Sequence, residues 1–238
     1  MGGMTEDRNS GRWRGARVVI AAGLVAAGGL ALLLIVGAGG LGVVLRDPEA
    51  LDRALRQAIH DCSADEVRGL VQRGADPNRR AAADPQLIQP TSGGTPVQAF
   101  WRCDDPQVLQ ALVEGGLVLA PHLRTLAERA MRPDRRAVLA WLLRNGLSAD
   151  MRWANVEGWE TLVHRAARNA QPEVLQVLLQ AGADPDSPDS DGQTPLMRVR
   201  AEVERLGRIR DEQPVAFPGA EARFAAVIAL LQEAGGTE

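Results

Sequence analysis

The chain has 238 residues, a formal net charge of −3, and 27 basic residues that are all arginine. Residues 1–17 carry four arginines against two acids, so the rest of the chain holds a net −5. An acidic body repels phosphate backbones, which argues against nucleic-acid binding. The lack of lysine excludes a Walker-type phosphate loop, whose lysine reaches the phosphates. Three histidines and two cysteines, with no Ser–His–Asp spacing, HExxH or CxxC, leave an enzyme reading little to stand on. No cofactor, metal or small-molecule substrate is expected.

Residues 1–17 read as a polar tail, with Arg12, Arg14 and Arg17 beside Trp13 at its end. Residues 18–45 follow without a single charge. About 20 apolar residues suffice for a helix to cross a bilayer, so this run is expected to be a transmembrane helix serving as a signal anchor. The arginines before it favour an inside N-terminus, with the remainder of the chain periplasmic or extracellular. Arg53 and Arg56 soften that bias. A cleaved signal peptide is the rival reading, since Val36-Gly37-Ala38 fits a small-x-small cleavage site. Small residues four apart, such as Ala22 and Ala26, would let two such helices pack closely.

Residues 46–238 are a domain in which one pattern recurs. The segments 66–74, 107–115, 137–145, 173–181 and 226–234 each place apolar residues at helical spacing on one face. Four of them share a register: Arg53, Thr95, Thr125 and Thr161 each stand 21 residues before Gly74, Gly116, Gly146 and Gly182. The spacing between units varies, with a Pro-rich insertion at 79–94 and a longer loop carrying Trp153 and Trp159. After Thr194 a first helix is expected to run to about Arg210, with Leu196, Val199, Val203, Leu206 and Ile209 as its apolar stripe. Arg198/Glu202 and Glu204/Arg208 would pair four residues apart on its wet side.

Residues 161–186, TLVHRAARNAQPEVLQVLLQAGADPD, with a second start at Thr194-Pro195-Leu196, resemble the 33-residue ankyrin repeat. The resemblance covers about residues 50–238, closely only in the fourth unit. The first unit keeps GADPN (74–78), and the second puts Phe100 and Trp101 where the family has two alanines. The resemblance implies an all-α solenoid of about five helix-turn-helix repeats behind the membrane helix. It gives His164 a place in a hydrogen-bond network between neighbouring repeats.

The family binds protein partners along its concave face, with finger tips and first-helix side chains. Carried over, that face would use Trp101, Trp153, Trp159, Arg165 and Arg168, tryptophan and arginine being the types most often energetic at interfaces. The tryptophans would otherwise pack on neighbouring repeats. Cys62 and Cys103 hold similar places in the first two repeats and would meet as a disulfide, or else be two separate buried thiols. Arg129, Arg132, Arg135 and Arg136 are a solvated face or a dock for an acidic partner. The expected function is a membrane-anchored, non-catalytic protein-binding module. The alternatives are an inhibitor or immunity-type protein that neutralises one exported enzyme, and an accessory subunit of a membrane complex.

Overall fold

The computed structural model describes residues 20–21, 32–37, 40–45, 48–80, 94–155, 158–212 and 219–237. The chain divides into two units, residues 1–51 and 52–238. The tail at 1–17 and most of the Pro-rich insertion lie outside the described residues.

In the first unit the expected transmembrane helix is not what is found. The described residues of the apolar run form antiparallel strands β1 (Ile20–Ala21), β2 (Leu32–Gly37) and β3 (Gly40–Leu45). Leu32 pairs with Leu45 and Gly37 with Gly40. Among the described residues no helix is long and apolar enough to cross a membrane. The physical reason is that a run without polar positions has no period, so helix and strand cannot be told apart by pattern. Leu, Ile and Val supply good strand formers here, and Gly37 and Gly40 interrupt any helix.

The second unit is helical. Its elements are α1 (Pro48–His60), α2 (Ala64–Gln72), a 3-10 helix at Pro96–Arg102, α3 (Pro106–Glu114) and α4 (Leu123–Ala130). Then come α5 (Arg136–Arg144), the strands β4 (Arg152–Asn155) and β5 (Gly158–Thr161), α6 (Leu162–Arg168), α7 (Pro172–Gln180), α8 (Pro195–Glu212) and α9 (Ala220–Glu233). Helices α2, α3, α5, α7 and α9 touch in that order, and α6 packs on α8.

One helix ending recurs through this stack. Gly74, Gly116, Gly146, Gly182 and Gly235 all take φ between 86° and 104°. The residue after each glycine donates its N–H back to the carbonyl of a leucine five positions earlier: Leu70, Leu112, Leu142, Leu178 and Leu231. This is the Schellman-type closure that satisfies orphan carbonyls, and it needs a left-handed residue that glycine adopts cheaply. The same five leucines are at most 2% exposed. Each contributes about 1.5–3 kcal/mol of burial.

A second recurrence links successive units. The side chain four residues after the glycine reaches the next unit's turn. Asn78 Oδ1 accepts from Val118 N–H at 2.9 Å, Asp150 Oδ1 from Asp184 N–H at 2.8 Å, and Asp186 Oδ1 from Thr237 N–H at 2.5 Å. The second repeat has Ala120 at this position, and an alanine side chain carries no acceptor.

Thr95, Thr161 and Thr194 stand directly before a first helix. Arg53 and Thr125 do not, because α1 and α4 begin earlier and leave both exposed within a helix. In the second unit the first helix is 3-10. Phe100 is bulky where the family has alanine and is buried at 3% exposure. Thr95 Oγ1 there has no partner among the described residues. Cys62 and Cys103 form a disulfide between the first two helical repeats, with Cα atoms 5.2 Å apart. Helix α8 runs as expected, but Val203 of its anticipated stripe is 39% exposed while Leu196 and Val199 are buried. Ile209's side chain lies outside the described residues.

Candidate partner-binding face

The loop between α5 and α6 folds as a hairpin because two short extended runs, RWAN and GWET, face each other. Trp153 pairs with Glu160, Ala154 with Trp159, and Arg152 with Thr161. Side chains alternate along a strand, so Trp153 and Glu160 share one side of the ribbon. Arg152, Ala154 and Trp159 share the other. Trp153 is half-buried. The Arg124 guanidinium from α4 lies 4.7 Å from its ring centre, and that of Arg165 from α6 lies 5.0 Å away. Such contacts are attractive because the ring face carries negative quadrupole charge. Arg124 Nη2 also donates to the Ala154 carbonyl at 3.4 Å. Beside them Arg168 Nη2 donates to Glu160 at 2.9 Å.

On the opposite side of the ribbon, Arg152 lies 4.1 Å from the Trp159 ring centre. The Trp159 carbonyl accepts from Ser190 N–H at 2.9 Å, which joins the hairpin to the loop before α8. Gly158, at φ 140°, permits that approach; a Cβ there would lie 2.0 Å from Ser190 Oγ.

A polar cleft of about 90 Å³ lies between this loop and α6, lined by Trp159, Arg168, Asp189 and Arg198 among others. Asp189 Oδ1 accepts from the backbone N–H groups of Asp191 and Gln193 at 2.9 and 3.0 Å, and Oδ2 from Arg198 Nε at 2.5 Å. Burial pushes the Asp189 carboxyl up, but the Arg198 and backbone hydrogen bonds outweigh it and hold it below its ordinary value. Arg198 also binds Asp191. The expected Arg198/Glu202 pair is thus replaced, and Glu202 is held instead by Arg205 at 2.8 and 2.5 Å. The loop before α8 carries two aspartates within reach of Arg198, which the spacing rule along one helix does not see.

His164 closes the same region from below. Its Nε2 donates to the Gln193 carbonyl at 2.9 Å. Nδ1 must then accept, and it does so from the Thr161 hydroxyl at 2.8 Å and Thr161 N–H at 3.4 Å. Thr161 in turn caps α6 by accepting from His164 N–H at 3.4 Å. The residue is 2% exposed, and burial lowers its pKa below 6.5.

Of the residues singled out in the sequence, Trp153, Arg165 and Arg168 come together on one face. Trp159 stands on the other side of the same ribbon. Trp101 sits in the 3-10 helix Pro96–Arg102, and its side chain lies outside the described residues. Arg124 was not anticipated. It precedes Thr125 in a unit whose helix start carries no cap residue, so no pattern marked its place. Arg132 is paired with Asp134 at 3.0 Å. Cys62 is bonded to Cys103, and neither offers a thiolate. Among the described residues no group of three metal-ligating side chains is assembled.

Paired antiparallel helices stacked in one direction, with projecting turns between units, define a helical-repeat solenoid. Residues 163–199 match the family model "Ankyrin repeats (many copies)". The ankyrin repeat domain of Bcl-3, described as a unique member of the IkappaB protein family, is similar in structure. It has a TM-score of 0.52 and 19% identity, covering 77% of this chain and 70% of that one. No curated protein matches the chain in sequence. Residues 163–199 carry ankyrin repeats, and the fold around them is that of an ankyrin repeat domain.

Proposed function

We propose that this chain is a protein-binding module of five ankyrin-like units, non-catalytic, whose principal contact is the Trp153 face. The observation that carries this is the gathering of Trp153, Arg124, Arg165 and Arg168 from a hairpin and two successive first helices. Such anchors concentrate binding energy when desolvated. The polar cleft beside them has its aspartates bound by Arg198 and backbone N–H groups, an arrangement that builds a loop rather than poises a base. The test is co-purification of a stoichiometric partner with the full chain, compared with Trp153→Ala. Loss of the partner in a folded variant supports the reading; undiminished capture overturns it.

The same proposal places the module at a membrane through residues 18–45, exposed to the periplasm or exterior. Its support is the length of the uncharged run and the arginines before it. An export-dependent reporter at the C-terminus, active in the membrane fraction, is the expected result. An expressed but inactive fusion, or one in the soluble fraction, would contradict it.

A further inference from the structure

We infer that the partner presents an acidic segment to the Trp153 face, with its carboxylates bound by Arg124 and Arg165. This rests on the reading of the chain as a protein-binding module.

Arg68, Arg79, Arg132, Arg168, Arg198 and Arg205 each have a carboxylate within 4.0 Å. Arg124 and Arg165 do not, among the described residues; nor do Arg73, Arg129, Arg144 and Arg152, but Arg124 and Arg165 converge on one ring, that of Trp153, with one backbone carbonyl as a further contact of Arg124. Among the described residues of the ribbon, the acid on that side is Glu160, and it is already bound by Arg168.

Two cations are therefore held within 5.0 Å of one ring centre. Like charges so placed repel, and an ion-pairing partner relieves that repulsion. Stacking on an indole fixes the guanidinium plane and leaves its edge donors available, and that fork matches a carboxylate in two parallel hydrogen bonds. Groups already oriented lose less freedom on binding. The body of the chain carries a net −5, which penalises a long phosphate backbone more than a short acidic stretch that meets only this patch.

The experiment measures anisotropy of a fluorescein-labelled peptide of alternating glutamate and glycine against the full chain at low salt. A glutamine counterpart and an oligothymidylate serve as competitors. The glutamate peptide should bind, the glutamine peptide should not, and Arg124→Gln with Arg165→Gln should weaken binding at least about tenfold. Arg129→Gln with Arg132→Gln should bind as the unaltered chain does. Should the glutamine pair fail to fold by circular dichroism, Arg124→Lys with Arg165→Lys keeps the charge, loses the fork, and should still weaken binding several-fold. The inference is overturned by an unaltered chain that ignores the glutamate peptide, by arginine variants that bind equally well, or by oligothymidylate competing as strongly. A partner captured through Trp153 but indifferent to both arginine pairs would overturn it while leaving the binding-module reading intact.

Discussion

Replacing His164 with alanine tests the reasoning about the joint between the fourth unit and the one after it. The imidazole is buried at 2% exposure and makes two hydrogen bonds of 2.8 and 2.9 Å, to the Thr161 hydroxyl and the Gln193 carbonyl. Each is worth about 1 kcal/mol net. The ring's removal also leaves a hole, and burial-site truncations to alanine cost about 2–5 kcal/mol in all. The Gln193 carbonyl keeps the Asp189 N–H at 2.9 Å, so it is not stranded, and the expected loss sits near the lower end, about 3 kcal/mol.

Urea unfolding followed by circular dichroism reads this as a lowered midpoint. The pH dependence supplies a second reading. Burial lowers the His164 pKa from 6.5, so over a window below pH 6.5 the unfolded chain takes up a proton that the folded chain refuses. The stabilising contribution is therefore complete above pH 6.5 and is lost as pH falls through the lowered value. His164→Ala should remove that share of the pH dependence. A loss below about 1 kcal/mol, or an unchanged pH profile, would refute the buried, neutral, doubly bonded histidine.

Three further substitutions probe the scaffold. Gly182→Ala should cost about 1 kcal/mol in denaturant unfolding, and the cause is conformational alone, because an added Cβ meets nothing within 4 Å. Gly115→Ala tests packing instead: its Cβ would lie 2.3 Å from Val71 Cγ1, so it should destabilise and be rescued in part by Val71→Ala, as a double-mutant cycle would show. Cys62→Ser with Cys103→Ser opens a cross-link spanning 41 residues and should lower stability by about 3–4 kcal/mol, read as a shift in denaturant midpoint.

Much of the scaffold is written in single residues. The glycine that ends each second helix and the leucine four before it mark all five helix ends, because only a left-handed C-terminal residue allows that closure. Thr161 and His164 announce the cap they form. Other features leave no local mark. Helix α4 starts after His122 with no Ser, Thr, Asp or Asn cap, and α1 starts at Pro48, so Thr125 and Arg53 are drawn into a register that the helices overrun. The hairpin β4–β5 consists of two four-residue strands, too short for alternation to stand out. The apolar run at 18–45 has no period at all, which is why a helix is expected and strands are found. Within the candidate face, Trp153, Arg165 and Arg168 could be chosen by residue type and place. Arg124 could not, since it reaches Trp153 from the preceding unit and only the stacking of units brings it there.

The central claim, that the Trp153 face meets a protein partner, is tested most directly by site-specific photo-crosslinking. A photoreactive residue at Asn169, exposed directly after α6 and four residues beyond Arg165, should trap a single partner species in cells. The same residue at Gln176, exposed on α7, should trap none. Equal adducts at both positions, or adducts at Gln176 alone, would contradict the account.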